Sequence, residues 1–509
     1  MKKWLVLVVA IVMMVTAACS GGGQKKSGGS AAQELTYATT SDAVGLSPIM
    51  TNDSVSANVI DQVYETLFER NIKTNEIEPL LAESYETPDD QTWVIKLKKD
   101  IKFQDGTDFN AEAVKYTFDK FRDPKTAAPR ASLLEPIESV NVVDDYTVEI
   151  KTKYPYGPLL AALSHSNAAI VSPEADQSQD LMKEPVGTGP FKFVSWTPGD
   201  QIVLEKNKDY WRDPAKLDKV TYKVVPEVST AISMLQTGKV QFLDALPTEQ
   251  VKRIEALKNV NVSKEEGTPV SYLGFNMSKE PMNNPEFRQA VAYALDRASY
   301  VKKMNGLGVE GNSLIGPKVF GYDASADDAG YAYDPEKAKE MVKKNDFGSK
   351  ALTILTPNRD NYMLMAEIAQ SQLQDAGFNV KIESMEWGTF LDTVRDGKYD
   401  ITFLGWANST SDGSELLYPN FHSDNIGSSN RVQYNNPDFD KLVDESRENI
   451  DEDVRAKKLD EANKLIVKDA PIVVMNHGVN TSATDKSVKG LKLDPTGSWK
   501  LYNVYREEG

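Results

Sequence analysis

Short stretches in which apolar and polar residues alternate recur along the chain, and segments with helical spacing lie between them. Residues 92–97 and 147–151 alternate with period two, which predicts half-buried strands. Residues 110–121 carry apolar side chains at helical spacing, which predicts an amphipathic helix. This interleaving of strands and helices predicts an α/β fold.

The most regular part of this pattern predicts three parallel strands. We expect strands at 351–356, 378–384 and 400–405, with helices at 361–376 and 388–394 between them. Because a crossover through a helix lays consecutive strands parallel, the loops that leave these strands should share one rim of the sheet. That rim is where open α/β sheets bind ligands.

Two loops at this rim supply candidate binding residues. The loop 357–360 contains Arg359, and the loop 406–413 has the sequence WANSTSDG. A guanidinium suits a carboxylate ligand because its planar fork donates two parallel hydrogen bonds. The alternative for Arg359 is a solvated surface arginine that binds nothing.

A second group of elements predicts a second lobe. Residues 220–225 and 240–243 are expected to be strands, and the helical segment 227–237 lies between them. Residues 35–39 form another expected strand, followed by the polar loop Thr40-Ser41-Asp42. Two α/β lobes predict a ligand cleft between them.

Three proline-containing stretches predict helix starts. Asn284-Pro285-Glu286, Asp334-Pro335-Glu336 and Asn436-Pro437-Asp438 each place a capping side chain before a proline. Proline fits the first helical position because the N–H that it lacks would be unpaired there. We therefore assign no binding role to the similar sequences NNPEF and NNPDF that contain two of these starts.

The beginning of the chain predicts export. Two lysines precede an apolar run at 4–15 that is too short to span a membrane and is typical of a secretory signal. The run leads into TAAC, which resembles a bacterial lipobox, in which the cysteine is lipidated and becomes the first mature residue. We expect a signal peptide at 1–18, lipidation of Cys19 and a flexible Gly/Ser-rich linker at 19–34. An ordinary cleavage site with a chance cysteine is the alternative.

Composition limits the binding partners and the chemical activities that we expect of the chain. The chain has 509 residues and a net charge of -17, so a phosphate backbone is a poor partner and we expect no nucleic acid. Three histidines and one cysteine predict neither a Cys/His metal framework nor an internal disulfide. The sequence has no P-loop and no G-x-S-x-G motif, so a secreted enzyme is the less favoured class.

One long stretch carries a family resemblance. Residues 81–119, LAESYETPDDQTWVIKLKKDIKFQDGTDFNAEAVKYTFD, resemble the signature region of the dipeptide- and oligopeptide-binding lipoproteins of ABC importers, solute-binding protein family 5. The stretches VGTGPFKF, FNMSKEPMNNPEFRQAVAYALDR and DAPIVVMNH support the resemblance. It implies a bilobal α/β fold of the periplasmic-binding-protein type, class II, with an extra domain inserted in the N-terminal lobe.

The resemblance also implies domain boundaries. Lobe I is expected to comprise 35–72, 185–269 and 485–509. The inserted domain is expected at 73–184, and lobe II at 270–484.

Family members that take free peptides imply roles for the two rim loops. Arg359 matches the arginine that pairs with the ligand carboxylate, and Trp406 and Asn408 belong to the loop that receives the ligand amine. The family pattern has an aspartate three residues after the tryptophan, where this chain has Ser409. A hydroxyl cannot offset a buried ammonium, so another acid is needed. Asp412 is the first candidate.

Further candidates lie in the other lobe and among the aromatic residues. Ser41 and Asp42 are expected to face the cleft from lobe I, and Asp42 is a second candidate for the acid. Trp387 and Tyr418 are expected cleft walls, with a place in the core as the alternative. His422 alone is weak evidence for a bound metal, so we expect no metal and no cofactor.

The resemblance implies a receptor without catalytic activity. We expect a monomeric lipoprotein on the outer face of the bacterial cytoplasmic membrane, or free in the periplasm, that passes short peptides to an ABC permease and its ATPase subunits. The run NSTSDGSELLYPNFHSD resembles most closely the branch that includes glutathione receptors. A receptor for a nickel complex or haem is the alternative within the family, and a secreted enzyme is the alternative outside it.

Overall fold

The computed structural model describes residues 32–247, 249–304 and 308–507. The predicted signal peptide, Cys19 and most of the linker lie outside these residues. No helix in the described part is long and apolar enough to cross a membrane.

Strands and helices alternate along the described chain. The strands are β1 (Glu34–Thr39), β2 (Phe68–Arg70), β3 (Ile77–Pro79), β4 (Ala82–Asp89), β5 (Thr92–Leu97), β6 (Ile137–Asp144), β7 (Thr147–Thr152), β8 (Phe191–Thr197), β9 (Gln201–Lys206), β10 (Lys219–Val224), β11 (Phe242–Asp244), β12 (Val260–Phe275), β13 (Gly308–Val309), β14 (Ala351–Pro357), β15 (Asn379–Met385), β16 (Ile401–Trp406), β17 (Ile472–Asp485), β18 (Val488–Lys489) and β19 (Tyr505–Arg506). The α-helices are α1 (Ser54–Val63), α2 (Ala111–Arg122), α3 (Leu159–Leu163), α4 (Pro173–Ser178), α5 (Val228–Gln236), α6 (Val251–Glu255), α7 (Pro285–Ala294), α8 (Arg297–Lys303), α9 (Pro335–Lys344), α10 (Asp360–Asp375), α11 (Trp387–Arg395), α12 (Gly413–Phe421), α13 (Pro437–Arg447) and α14 (Glu452–Asp469).

One mixed sheet of eleven strands extends through most of the molecule. Its order is β15-β14-β16-β12-β17-β11-β1-β10-β9-β8, with β13 beside β17. We call β8–β11 with β1 the first half and β14–β16 the second half. β14 is parallel to β15 and β16, and β1 is parallel to β10 and β11, as the strand and helix pattern predicts.

Two long strands connect the halves. β12 and β17 pair antiparallel, with a register shift between Glu266 and Val270. Gly267 and Pro269 fall in this interval, and proline has no N–H to donate to the ladder. The break therefore divides the strand pair into a segment next to the first half and a segment next to the second half.

A separate antiparallel sheet forms within the stretch predicted as the inserted domain. Its order is β4-β5-β7-β6, and we call it the inserted sheet. Helix α2 packs on β6 and β7 and is capped by Asn110, whose side chain accepts a hydrogen bond from the Ala113 N–H. Buried Trp93 and Phe109 belong to the same apolar cluster as Leu35 and Tyr222 of the first half. The inserted sheet therefore shares a core with the first half.

The predicted helix starts are confirmed. Asn284, Asp334 and Asn436 each accept a hydrogen bond from a backbone N–H in the first turn of the helix that follows, and a proline occupies the start of each helix. The predicted loop 406–413 is shorter than expected at both ends. Trp406 is the last residue of β16, and Gly413 is the first of α12.

Candidate functional site

A cavity of ≈ 680 Å³ lies where the first half, the second half and the chain segments around the inserted sheet meet. Helix α1 and the segment that follows it form one wall, and the chain after β16 forms another. The cavity is lined by residues that also include Ala245, Leu246, His165, Asn480 and Trp499. It is the size expected of a pocket for a small ligand.

The cavity is lined by charges of both signs. Its carboxylates are Asp53, Asp61, Glu65, Glu69, Asp244 and Asp494, and its permanent cations are Arg70, Arg130 and Lys500. Among the described residues, no cation lies within ion-pair distance of Asp61, Asp244 or Asp494. These three carboxylates therefore have no direct cationic partner, although Lys500 lines the same cavity and acts to lower the pKa of Asp61 and Asp494.

Glu65 and Glu69 are held within the protein. Glu65 accepts hydrogen bonds from Tyr210 Oη at 2.6 Å and from Trp211 Nε1 at 2.8 Å, and Arg212 Nη2 lies 3.2 Å away. Glu69 accepts from Lys500 Nζ at 2.9 Å. Because Arg212 and Lys500 pair with their charges, these two acids are less suited to bind a cationic group of a ligand.

Asp61 projects from α1 into the cavity lining. Its Oδ1 accepts a hydrogen bond from Ser166 Oγ at 2.6 Å. Burial raises the pKa of this carboxyl to about 6, with a contribution from Asp494, although Ser166 and Lys500 act in the opposite direction. Burial also raises the pKa of Asp494, despite its hydrogen bonds from the backbone N–H groups of Thr496 and Ser498.

Asp244 differs from these two acids because its oxygens are occupied. Tyr37 Oη donates to Oδ1 at 2.7 Å, and Trp499 Nε1 donates to Oδ2 at 2.9 Å. Both donors are neutral, so burial still raises the pKa of Asp244. This carboxylate holds Tyr37 and Trp499 against each other, with ring centroids 5.0 Å apart.

The opposite wall presents a guanidinium from the chain between α2 and β6. Arg130 Nη2 donates to Ser409 Oγ at 3.0 Å and lies 3.4 Å from Glu415 Oε1. Glu415 is in the first turn of α12 and accepts from Ser409 Oγ at 2.7 Å and from the Thr410 N–H at 2.7 Å. Ser409, three positions after the end of β16, therefore contacts a cation of the cavity.

Arg70 is the second arginine of the cavity. Its Nη1 donates to the Asn75 carbonyl at 2.5 Å, and its Nη2 donates to the Thr410 carbonyl. Burial lowers its pKa, although Asp412, Asp494 and Glu415 favour the charged form. Because its partners are neutral carbonyls, the charge is not cancelled within hydrogen-bond distance.

Of the sequence-predicted residues, Asn408 and Ser409 line the cavity. Asn408 is buried; its side chain donates to the Asp412 carbonyl at 2.7 Å, and its own carbonyl accepts from Thr268 Oγ1 at 2.7 Å. It fixes the course of the loop. Ser409 is the loop residue whose hydroxyl is placed between Arg130 and an acid.

Asp412, the first candidate for the acid that meets a ligand amine, has partners inside the protein, and its role in binding stays a prediction. Asp412 is buried, caps α12 through the Ser414 N–H at 3.0 Å, and accepts from Arg455 Nη2 at 2.6 Å. Burial would raise the pKa of this carboxyl, but Arg455 and Ser414 lower it below its usual value. The carboxylate is thus neutralised inside the protein and does not line the cavity.

Arg359 and Trp387 lie together but outside the cavity lining. The guanidinium of Arg359 is 4.0 Å from the centre of the Trp387 ring, and Trp387 also stacks on Phe390. Arg359 is exposed at the start of α10. The structure brings these two predicted residues to each other, and a role for them in ligand binding stays a prediction.

The remaining predicted residues are also outside the cavity lining. Ser41 is exposed, and Asp42 accepts from Trp196 Nε1 at 3.1 Å and from the Gly199 N–H at 2.7 Å. Asp42 therefore organises the turn between β8 and β9. Trp406 is half-buried against the apolar cluster formed by β12, β17 and helices α12–α14, and it faces a smaller cavity of ≈ 90 Å³. Tyr418 packs there too, next to His422, with ring centroids 4.8 Å apart.

His422 has a structural position rather than a place in the cavity. It is buried at the end of α12, and its Nδ1 accepts from the Asp424 N–H at 3.2 Å. Within the described ranges, no group of three or more His, Cys, Asp or Glu side chains is arranged to hold a metal ion.

Sequence reasoning missed Asp61, Arg130 and Asp494. Asp61 left one signal, since it is a charged residue inside the apolar helix sequence SVSANVIDQV. Arg130 and Asp494 occur in irregular segments, where no periodicity marks a side chain as facing a cavity.

Comparisons with known proteins fit this geometry. Residues 76–428 match the family model for bacterial extracellular solute-binding proteins, family 5 Middle. The glutathione-binding protein GsiB of Escherichia coli O1:K1 / APEC is 30% identical over 478 residues, which cover 91% of this chain and 93% of the relative. Heme-binding protein A of Haemophilus influenzae is 28% identical over 501 residues, which cover 92% and 91% of the two chains.

A solved structure extends the similarity to the fold. The periplasmic binding protein DppA from Helicobacter pylori, in complex with the peptide STSA, superimposes with a TM-score of 0.77 at 29% identity, and the match covers 93% of this chain and 98% of DppA. The fold is therefore that of the bilobal periplasmic binding proteins. Since the family model covers more than half of the sequence, the chain belongs to the bacterial extracellular solute-binding proteins of family 5.

Proposed function

We propose that the chain captures a short peptide in the cavity between its halves and delivers it unchanged to an ABC permease. The observation that carries the proposal is the cavity itself, which both halves line and in which Arg70, Asp61 and Asp494 have no ion-pair partner among the described residues. A free peptide carries an ammonium and a carboxylate. Buried charges are stable only when they are paired, so a zwitterion suits this cavity better than a neutral solute.

The relatives support a peptide as the ligand class. One similar protein is named a glutathione-binding protein, and one similar structure holds the peptide STSA. Both are similar to this chain along most of its length. We propose the same broad class here, di- or oligopeptides or a glutathione-like γ-linked peptide, with no covalent chemistry on the ligand.

The contacts between the halves support a binding cycle of closure and opening. Arg70 donates across to the Thr410 carbonyl, and Arg130 reaches Ser409 at 3.0 Å. These bonds join the chain around the inserted sheet to the loop after β16, so they exist only while the walls are together. A ligand that contacts both walls shifts the equilibrium toward this closed form, which the permease would recognise.

We also propose that the chain acts outside the cytoplasm and is attached to the membrane through Cys19. The lipobox-like sequence TAAC supports it, and family membership supports an extracytoplasmic site of action. Cys19→Ser expressed in a bacterial host should move the protein from the membrane fraction to the soluble extracytoplasmic fraction. If Cys19→Ser stays in the membrane fraction as the unchanged chain does, the lipid anchor is wrong.

Isothermal titration calorimetry of the mature chain tests the ligand class. The panel consists of Ala-Ala, Ala-Ala-Ala, reduced glutathione and γ-Glu-Cys, with free alanine as the control. We expect at least one peptide to bind with micromolar or tighter affinity and alanine not to bind. Tighter binding of the γ-linked members would identify the glutathione-like ligand. Absence of binding by every peptide would contradict the proposal.

Haem is a second candidate because one cavity-lining imidazole is suited to an iron ligand. Burial, with Arg130, lowers the pKa of His165 to about 3, so the ring is neutral, and its Nδ1 is occupied by the Asn167 N–H at 3.1 Å. A similar protein is named a heme-binding protein. A Soret-band titration with haemin distinguishes the candidates: a shift that His165→Ala abolishes would favour haem over peptide.

A further inference from the structure

We propose that the cavity binds its peptide in one orientation, with the ligand ammonium against Asp61 and Asp494 and the ligand carboxylate against Arg130. This inference rests on the proposed function, because it concerns the same cavity and adds the residues that select the ligand's charges. It differs from the expectation drawn from the sequence, which placed the ligand carboxylate at Arg359 and the ligand amine at Asp412, with Asp42 as the second candidate.

We call Asp61 and Asp494 the acidic pole. Their role is inferred from the hydrogen bonds that the cavity carboxylates already accept. Asp61 uses Oδ1 to accept from Ser166, and its Oδ2 accepts no hydrogen bond from a described residue. Lys500 is the cation whose charge acts on both Asp61 and Asp494, but its Nζ is bonded to Glu69 at 2.9 Å. Two carboxylates thus face a cavity with no cation of their own, which an ammonium group would supply.

The neighbouring acids are less suited to this task. Asp244 has both oxygens filled by Tyr37 and Trp499, and Glu65 is saturated by hydrogen-bond donors from the chain around Tyr210. Asp53 accepts from the Ser56 N–H at the start of α1, and its Oδ2, which has no hydrogen-bond partner among the described residues, is buried from solvent. Asp61 and Asp494 each accept hydrogen bonds from described residues through Oδ1 alone, which leaves Oδ2 for a ligand.

We call Arg130 the basic pole. Its role is inferred from its contact with the neutral residue Ser409. Arg130 gives one Nη2 hydrogen to Ser409 and shares Glu415 Oε1 at 3.4 Å, while its Nε is buried and has no partner in the described part of the chain. The shorter bonds of Glu415 go to Ser409 and Thr410 rather than to Arg130. A neutral residue at 409 leaves guanidinium donors available for a carboxylate, which an aspartate there would occupy.

The two poles lie on different walls. Asp61 is on α1, which packs on the first half, whereas the Arg130 donors meet the loop that follows β16 of the second half. A peptide that spans the poles therefore touches both walls when they close. The same contacts between the ligand charges and the two walls therefore fix the orientation of the peptide and favour closure.

The test uses Ala-Ala-Ala, its N-acetylated form and its C-amidated form in calorimetric titrations. For the unchanged protein we expect each blocked form to bind at least tenfold more weakly than the free tripeptide. Asp61→Asn should weaken the free tripeptide at least tenfold and leave the affinity for the acetylated form unchanged. Arg130→Gln should weaken the free tripeptide to the same degree and leave the affinity for the amidated form unchanged.

Matched variants and a second readout separate binding from folding. Asp90→Asn and Arg395→Gln change an exposed acid and an exposed arginine and should leave all three affinities unchanged. Thermal melts show whether each variant folds. If Asp61→Asn weakens the free and acetylated tripeptides equally, or weakens neither, the orientation is wrong. If no form of Ala-Ala-Ala binds the unchanged protein, the proposed orientation fails, whereas the proposed function fails only if no peptide of the calorimetric panel binds.

Discussion

Arg455 donates from Nη2 to Oδ2 of Asp412 across 2.6 Å, and each of the two side chains is only 4% exposed. Arg455 also donates from Nε to the Ser446 carbonyl at 3.0 Å and lies over the Phe320 ring, 4.8 Å from its centre. Since Asp412 caps α12, this pair fixes the end of the loop whose beginning lines the ligand cavity.

Breaking the Arg455–Asp412 pair should destabilise the fold strongly. Asp412→Asn leaves the Arg455 guanidinium buried without a countercharge, and such losses cost about 3–5 kcal/mol. Urea denaturation measures the change in free energy of unfolding. Asp108→Asn, which removes one member of the exposed Lys102–Asp108 pair, is the control and should have little effect. Equal stability of Asp412→Asn and the unchanged protein would show that the pair is not a structural anchor.

Asp61 should make the unliganded protein less stable as pH rises. Its pKa of about 6 in the folded state lies above the value of about 3.9 typical of unfolded chains, so the folded protein binds more protons between these values. Stability should therefore fall as pH increases from about 4 to about 6. Asp61→Asn should flatten this dependence and raise the free energy of unfolding at pH 7 by on the order of 1–3 kcal/mol.

Urea denaturation of both proteins at pH 4.5 and pH 7 measures this difference. Because other carboxyls also titrate, the quantity of interest is the difference between the variant and the unchanged protein at each pH. If Asp61 has a raised pKa in the folded protein, the stability gain of Asp61→Asn is larger at pH 7 than at pH 4.5. A gain that is independent of pH would contradict it.

Ser409→Asp should weaken the binding of free peptides. The new carboxylate would pair with Arg130 and stand close to Glu415, whose Oε1 is 2.7 Å from Ser409 Oγ. We expect about a tenfold loss of affinity, equivalent to about 1.4 kcal/mol, because the carboxylate of the ligand loses a free guanidinium. Ser409→Ala, which keeps the position neutral, is the control and should change affinity less. Tighter binding by Ser409→Asp would favour the arrangement expected from the family, with the ligand ammonium at position 409.

Arg359→Ala separates the two candidate carboxylate sites. Because Arg359 stacks on Trp387 away from the cavity lining, its removal should leave the affinity for Ala-Ala-Ala within about threefold, whereas Arg130→Gln should cost at least about tenfold. Calorimetric titration of both variants gives the comparison. A larger loss of affinity for Arg359→Ala than for Arg130→Gln would show that the ligand carboxylate binds at the loop after β14.

The elements of the fold were largely predictable because their signals are local. The period of the apolar residues identified β5, β7, α2 and the strands of the second half, and a capping residue before proline marked the starts of α7, α9 and α13. These features depend on neighbours within a few positions. The parallel pairing of β14 with β15 and β16 followed from the helices between them.

The site was predictable only where it directly follows a strand of the sheet. Asn408 and Ser409 come immediately after β16, so their place at the rim followed from topology. The position of Asp412 in the loop makes it a candidate to bind a ligand amine. Its carboxylate is paired with Arg455, which is distant in sequence, so this pairing is not visible in the local pattern. Asp61, Arg130 and Asp494 converge from three separate segments, and their meeting is a property of the tertiary fold alone.

Peptide capture is tested most directly by native mass spectrometry of the chain purified from a bacterial host under gentle conditions, followed by release and sequencing of the bound material. We expect a copurified short peptide that is recovered unchanged and is displaced by added peptide, with occupancy reduced in Asp61→Asn and Arg130→Gln. Recovery of haem, of a metal complex or of cleaved products in place of an intact peptide would contradict this expectation.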